Sequence, residues 1–274
     1  MTKNKLDALL VPTKSAEVEP WQIALKPRLP KILTIDIETS PNVAYVWGLW
    51  DQNVSLSQLR EASRMISFAA KWYGEKKVSF YSEHHNGRKE MVQAAWDMIN
   101  EADIVISYNG ISFDMKHLNR EFITFGLTPP SPHKNVDLLR VVRSEFKFPS
   151  NKLDYVSQAL GVGEKMKHEG QELWNSVLAG DEKAWNRMKK YNIQDVKLTE
   201  SLFEFLGPWV KKMPHIGLWT QETRCCYRCG SVDLAQDGFG HTTVTVYARL
   251  HCNACGAWNR LNVVKGRTET KPLR

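Results

Sequence analysis

Two carboxylates two residues apart mark the first place where this chain could do chemistry. The run Lys31-Ile-Leu-Thr-Ile-Asp-Ile-Glu reads as a strand, and its period of two puts Asp36 and Glu38 on one face with Ile32 and Thr34, at the C-terminal end. Like charges that share a face in an apolar run repel unless a cation relieves them. A solvated edge, or a cap on the turn at Ser40-Pro41, is the plainer alternative. A third acid follows the apolar run Ile104-Val105-Ile106, where Tyr108-Asn109-Gly110-Ile111-Ser112-Phe113 leads Asp114 into the first turn of a helix expected over 112–125. An acid at a helix start is favourable in itself, by about 0.3–1 kcal/mol.

The fourth acid is Asp195. Met188, Tyr191, Asp195, Leu198 and Leu202 recur at steps of three and four, so this carboxylate lies in the stripe patterned for burial. Unpaired there it would cost several kcal/mol, so it needs strong hydrogen bonds, a Lys or Arg partner, or a metal ion. Tyr191, one turn earlier, faces the same place. Four converging carboxylates suit hard divalent cations. A pair of Mg²⁺ or Mn²⁺ ions about 3.5–4 Å apart can clamp the attacking and leaving oxygens of a phosphodiester.

The elements that must position these groups follow from hydrophobic period. Strands are expected at 31–38, 43–50, 65–73 and 77–83 as an antiparallel meander, with Gly74-Glu75 as a turn. Met91, Ala95, Met98 and Ala102 then recur at helical spacing, ahead of a strand at 104–106 buried on both faces. Residues 135–140 read as a strand entering a helix, and further helices are expected at 153–160, 170–179 and 181–205. The fold class is α/β, a mixed sheet of five or more strands flanked by helices. Residues 1–30, with four prolines, read as an arm, 31–208 as the main domain, 220–264 as a small β-rich module and 265–274 as a basic tail. Trp96 and Trp185 fall on helical patterns as core residues. Trp47 and Trp50 are expected to pack in the core or at a sheet edge, with the border of a substrate groove as the other reading.

Asp36-Ile-Glu38, Tyr108-Asn-Gly-x-x-Phe-Asp114 and Tyr191-Asn-Ile-Gln-Asp195, in that order, resemble the three motifs of DEDD exonucleases. The Tyr-x-x-x-Asp form is similar to the DEDDy subgroup of polymerase proofreading domains. The segments Ser40-Pro-Asn-Val-Ala-Tyr-Val-Trp-Gly-Leu-Trp50 and 152–165 resemble stand-alone family B-type exonucleases of bacterial viruses. The resemblance implies an RNase H-like fold and 3′→5′ removal of nucleotides. It implies that Asp36, Glu38 and Asp195 hold the ion that activates water, that Asp36 and Asp114 serve a second ion, and that Tyr191 orients the water. Thr39, Asn109 and Phe113 would lie toward the substrate. The substrate class is nucleic acid, DNA ahead of RNA; an RNA-trimming exonuclease and a non-catalytic polymerase accessory protein stay open as alternatives. The residues after the third motif are too few for a polymerase domain, so a polymerase or replication partner would be a separate chain.

Cys226-Tyr-Arg-Cys229-Gly and Cys252-Asn-Ala-Cys255-Gly are two CxxCG knuckles, the spacing of a Cys₄ ribbon around one structural Zn²⁺. A redox role needs only one such pair. Cys225 is left over, and His241 or His251 are weaker candidate ligands. Without an apolar signal segment or a membrane-length apolar run, the cysteines argue against disulfides, and the expected address is cytoplasmic, or host cytoplasm if the protein is viral. From Lys211 onward ten Lys/Arg oppose four Asp/Glu, which accounts for +6 of the chain's +7. Arg224, Arg228, Arg249, Arg260, Lys265 and Arg267, with Tyr227 and Trp258 among them, could hold a phosphate backbone while rings stack on bases. A structural or protein-docking ribbon is the alternative.

Overall fold

The strand expected at 31–38 forms as β1 (Ile32–Thr39) and is the middle of the main sheet. The structure is a computed structural model that describes residues 26–167 and 169–267; most of the expected arm, and the tail beyond 267, lie outside these residues. Antiparallel neighbours β4 (Met65–Trp72) and β5 (Ser79–Ser82) lie on one side of β1. Parallel strands β6 (Ile104–Ser107) and β7 (Lys134–Asp137) lie on the other, giving the order β5-β4-β1-β6-β7.

Alternation along β1 then decides what each helix layer meets. Leu33, Ile35 and Ile37 pack with Met91, Val92, Ala95 and Ile99 of α1 (Arg88–Glu101) and with Leu118 and Phe122 of α2 (Asp114–Thr124). Ile32 packs on the opposite face with Leu198, Leu202 and Phe203 of α6 (Glu182–Leu206), beside α3 (Leu138–Glu145) and α4 (Leu153–Ala159). By the same alternation Asp36 and Glu38 point to the α6 side. The stripe Met188, Tyr191, Asp195, Leu198 and Leu202 is buried throughout, and α5 (Gln171–Leu178) covers its N-terminal half. A buried Lys71–Glu200 ion pair ties β4 to the same helix.

The expected strand over 43–50 does not form as such. Only β2 (Val43–Ala44) pairs, with β3 (Leu59–Glu61), and neither belongs to the main sheet, so the meander has three strands. Trp47 is 99% exposed and Trp50 84%, so neither packs in the core or at a sheet edge. The reason is local. Asn42 Oδ1 accepts from Ser63 N–H and Tyr45 N–H donates to Gln58 O, closing the base of a loop whose residues 46–54 meet no second strand. Aromatic and β-branched side chains favour strands because they cover a half-buried surface, and here there is none to cover.

The C-terminal region is β-rich, with β8 (Leu234–His241), β9 (Thr245–Cys252) and β10 (Trp258–Arg267) in one antiparallel sheet after the short α7 (Gly217–Thr220). Its third strand continues through Arg267, past 264. The region is docked onto the end of α6, where Arg228 Nη2 donates to Glu204 O and Tyr227 OH donates to Val210 O. Arg228 and Tyr227 therefore serve the contact between the two regions rather than an open nucleic-acid face. Among the described residues, no helix is long and apolar enough to cross a membrane.

Candidate active site

Carboxylate oxygens of Asp36, Glu38 and Asp195 lie within 4.8 Å of one another. Two come from the end of β1 and one from the middle of α6, so the cluster exists because that helix packs across the acid-bearing face. Asp195 is 2% exposed, while Asp36 and Glu38 are half-buried. A bulge between Glu38 and Thr39 breaks the register with β4 and turns the chain away just beyond the acids. Trp174 Nε1 donates to Thr39 O across 3.0 Å, and the Trp174 ring packs edge-on against Tyr191.

Asp114 stands beside this trio rather than in it. β1 pairs with β6 only as far as Thr34–Ile106, and past that point Ile37 N–H donates to Asp114 Oδ1 at 3.1 Å. The buried acid thus fills the gap left where the strands part. Gly110 precedes it, and a Cβ there would lie 2.1 Å from Ser107 Oγ and 2.4 Å from Ser107 Cβ. Gly110→Ala is expected to lower stability by about 1–3 kcal/mol, read as a reduced thermal midpoint. Asn109 adopts φ 72°, a left-handed conformation that asparagine tolerates better than most residues, and its N–H donates to Asp137 Oδ1 at 2.8 Å. Phe113 is exposed and packs against His117.

Three further residues complete the site, none of them among the site residues expected from the sequence. Lys165 Nζ lies 2.6 Å from Asp195 Oδ2 and donates to Tyr191 OH at 3.1 Å. This is the lysine partner that the buried acid could have called for, supplied by the loop between α4 and α5. Asn192 Nδ2 donates to Asp36 Oδ2 at 2.7 Å and is fully buried. Asp137, at the start of α3, also accepts from Ile111 N–H and Leu139 N–H, which locks the 109–111 turn to that helix. Asn192 lies inside Tyr191-Asn-Ile-Gln-Asp195, where an asparagine is not distinctive by type as Tyr191 and Asp195 are. Lys165 lies 30 residues before its partner, and spacing cannot find it.

The electrostatics are those of an over-filled anionic site. Burial, then Asp114, Glu38 and Asp195, push the Asp36 carboxyl well above the usual range, with Lys165 opposing. Glu38 is pushed up to about 8 by burial and Asp195. Asp114 is pushed up to about 7 by burial, although Ile37 N–H pulls it down. Burial lowers the Lys165 ammonium, but Asp195 and Tyr191 outweigh it and the net shift is upward, so it stays charged. The Tyr191 phenol is raised by burial and by Asp195 and Glu38, and stays neutral. Four carboxyl groups with one ammonium among them form a site of hard oxygen donors that hold protons until a cation displaces them, which fits Mg²⁺ or Mn²⁺.

The four cysteines converge separately. Cys226 and Cys255 sulfurs are 3.6 Å apart and Cys229 and Cys252 sulfurs 3.7 Å, with all four within 4.8 Å. Disulfide sulfurs would be about 2.05 Å apart. Tetrahedral zinc–thiolate bonds of about 2.3 Å separate their sulfurs by about 3.75 Å, so the donor set fits Zn²⁺. Burial raises the Cys226 thiol, but the Cys229 and Arg228 amides and Asn259 bring it down to about 7. Cys225 is buried outside the cluster, and His241 and His251 are not in it.

A family model described as the RNase_H superfamily matches residues 56–207. That span holds Asp114, Lys165, Tyr191 and Asp195 and begins after Asp36 and Glu38. The chain is 30% identical over 169 residues to a DNA polymerase of Pyrococcus glycovorans, an alignment covering 50% of this chain and 21% of that polymerase. It is 27% identical over 169 residues to DNA polymerase 1 of Pyrococcus abyssi, with the same coverage. The chain thus spans about a fifth of the length of these relatives. The structure of the family B DNA polymerase from the archaeon Pyrobaculum calidifontis superposes with a TM-score of 0.52 at 17% identity, covering 80% of this chain and 32% of that one, a likeness of fold.

Proposed function

The chain belongs to the RNase H superfamily, and from that premise we propose that it is a metal-dependent 3′→5′ exonuclease of the DEDDy type acting on DNA. The observation that carries this reading is the joining of Asp36, Glu38 and Asp195 in one cluster with Tyr191 and Lys165 at its rim. Two divalent cations, Mg²⁺ or Mn²⁺, held by Asp36, Glu38 and Asp195 with Asp114 beside Asp36, would supply water activation and charge neutralisation at the leaving oxygen.

The chain's own groups do the rest. Tyr191 is neutral, so it orients the attacking water rather than deprotonating it. Lys165 donates to its oxygen and brings a fixed positive charge to the place where negative charge grows on the phosphoryl oxygens. Asn192 holds the Asp36 carboxylate by an amide hydrogen bond, and Asp114 holds the Ile37 backbone, so both ends of the pair on β1 are set before substrate arrives. Thr39, Asn109 and Phe113 line the approach at the strand end. Tyr191→Phe is expected to slow single-turnover cleavage on the order of 10²-fold, the effect of a misplaced nucleophile. Lys165→Met is expected to lower the maximal rate by 10²-fold or more, on the scale of one lost electrostatic stabiliser, while Mg²⁺ half-saturates at a lower concentration because its competitor at Asp195 is gone.

The C-terminal region, as a zinc ribbon with one structural Zn²⁺, offers a second contact with nucleic acid. Arg249 and Arg260 sit directly opposite each other across β9 and β10, stacked on Trp258 and Tyr247. Like charges opposed in a sheet are unfavourable, and a phosphate between them reverses the sign. We read the protein as cytoplasmic, phage-type, and working beside a separate DNA polymerase. The test uses 5′-labelled single- and double-stranded DNA and RNA with Mg²⁺ or Mn²⁺. A ladder shortening from the 3′ end on DNA, abolished by chelator, is expected; RNA alone being shortened would move the reading to RNA trimming, and tight binding without products would sink the enzyme.

A further inference from the structure

His84, His85 and Glu182 converge at the far end of α6, remote from the acidic cluster. Glu182 is the first residue of that helix and Asp195 lies thirteen residues on, about 20 Å along the axis. His84 Nε2 is 3.0 Å from Glu182 Oε2, and His85 Nε2 is 3.2 Å from Glu182 Oε1. Ligand atoms of all three residues lie within 4.8 Å of one another. We infer that this trio is a second transition-metal site, which takes Zn²⁺ or a similar borderline divalent ion through two imidazoles and one carboxylate.

Geometry and preorganisation support it. Tetrahedral zinc with bonds of ~2.0–2.1 Å to nitrogen and oxygen separates its ligands by about 3.3 Å, close to the two histidine–carboxylate spacings. The rings are already held. Ser82 is fully buried, and its Oγ lies 2.7 Å from His85 Nδ1 and accepts from His85 N–H, so the second ring nitrogen has the polar partner that metal-bound histidines have. The His84 ring stacks on buried Trp185 at 5.3 Å and 12°. Asn86 Oδ1 accepts from Ser82 N–H and fixes the turn that carries both histidines. Where Nδ1 donates to Ser82, His85 Nε2 turns a lone pair toward a carboxylate, and a cation belongs between them. Nitrogen donors on two of three positions select zinc, nickel or copper over Mg²⁺. Three protein ligands leave a position for water. The ion would clip the turn after β5 to the start of the helix that carries Tyr191 and Asp195, so its role is to fix α6 from the end opposite the ribbon.

The test uses the full chain, equilibrated with micromolar Zn²⁺ in excess Mg²⁺ and then passed through a desalting column. Wild type is expected to hold one zinc ion more per chain than His85→Ala or Glu182→Gln, whatever the cysteine cluster holds. Co²⁺ is expected to give weak visible bands of nitrogen and oxygen ligation in wild type that both variants lose. Zinc, which also fills the cysteine cluster in every variant, is expected to raise the thermal midpoint of wild type further than that of either variant, and equal midpoints of all three proteins in chelator would show that the variants fold. Equal zinc content in wild type and variants would overturn the proposal, as would an additional ion that neither substitution removes.

Discussion

Asp36→Asn is expected to abolish 3′ trimming, by roughly 10³-fold or more, about 4 kcal/mol of transition-state stabilisation, while making the metal-free protein more stable. Both effects have one cause. Asp36 sits among Glu38, Asp114 and Asp195, and each raises its carboxyl further beyond what burial does. The folded state without cations therefore holds protons that the unfolded chain has released. Unfolded carboxylates titrate near pH 4, whereas Asp114 and Glu38 titrate at about 7 and about 8 in the fold. Between these limits the native state binds more protons, so stability falls as pH rises from about 4 to about 8. Each pH unit with one additional proton held costs about 1.4 kcal/mol. Asparagine removes one acid from the set, keeps the amide contact to Asn192 within reach, and flattens the slope. Chemical denaturation from pH 4 to 9 in chelator measures this; a variant no more stable than wild type at pH 8 would refute the account. Mg²⁺ should flatten the wild-type slope as well, because cations then replace the protons.

The second large effect is structural. Cys226→Ser is expected to lose one metal ion per chain and unfold the sheet of β8, β9 and β10, leaving the five-stranded sheet intact. The buried cluster of that region is Cys226, Cys252 and Ala257, with Tyr227, Leu234 and Cys255 packed against it. Apart from Cys225 and, on β9, Ala248 and Leu250, its interior is largely the ligand sphere itself. Structural zinc contributes on the order of 10–16 kcal/mol in small cysteine modules, far more than so few apolar groups can. Hydrogen exchange should show amides of 234–267 exchanging at once in the variant and those of β1, β4 and β6 protected as before. Unchanged metal content would remove the cysteine cluster as a zinc site.

The sequence and the structure agree most closely where period and burial act together. β1 shows a period of two in its apolar residues, and that same period carries Asp36 and Glu38 to the α6 side. Asp195 was readable because an acid in an otherwise apolar helical stripe is conspicuous. Lys165 was not, because a loop residue is brought to its partner by the packing of α4, α5 and α6, which no local pattern encodes. Asp137 was hidden for another reason: its work is to accept three backbone hydrogen bonds, and backbone geometry leaves little trace in side-chain spacing. The segment 43–50 misled because strand-forming residues express that tendency only against a surface. The place where β1 and β6 part, which lets Asp114 reach the Ile37 backbone beside Asp36, is a feature of register that composition does not reveal.

The loop beyond β1 has a consequence for how the molecule can be watched. Trp47 and Trp50 stand in water nine and twelve residues past Glu38, while Trp185, near the start of α6, is sealed beneath the histidine turn. Indoles in water emit to the red of indoles in a core and are open to soluble quenchers. The described tryptophans therefore divide into optically distinct populations, and the indoles most open to a quencher are those of the loop beyond β1, ahead of half-exposed Trp209 and Trp258. The difference in emission between wild type and a Trp47→Phe, Trp50→Phe variant reports the surroundings of that one loop without any label attached.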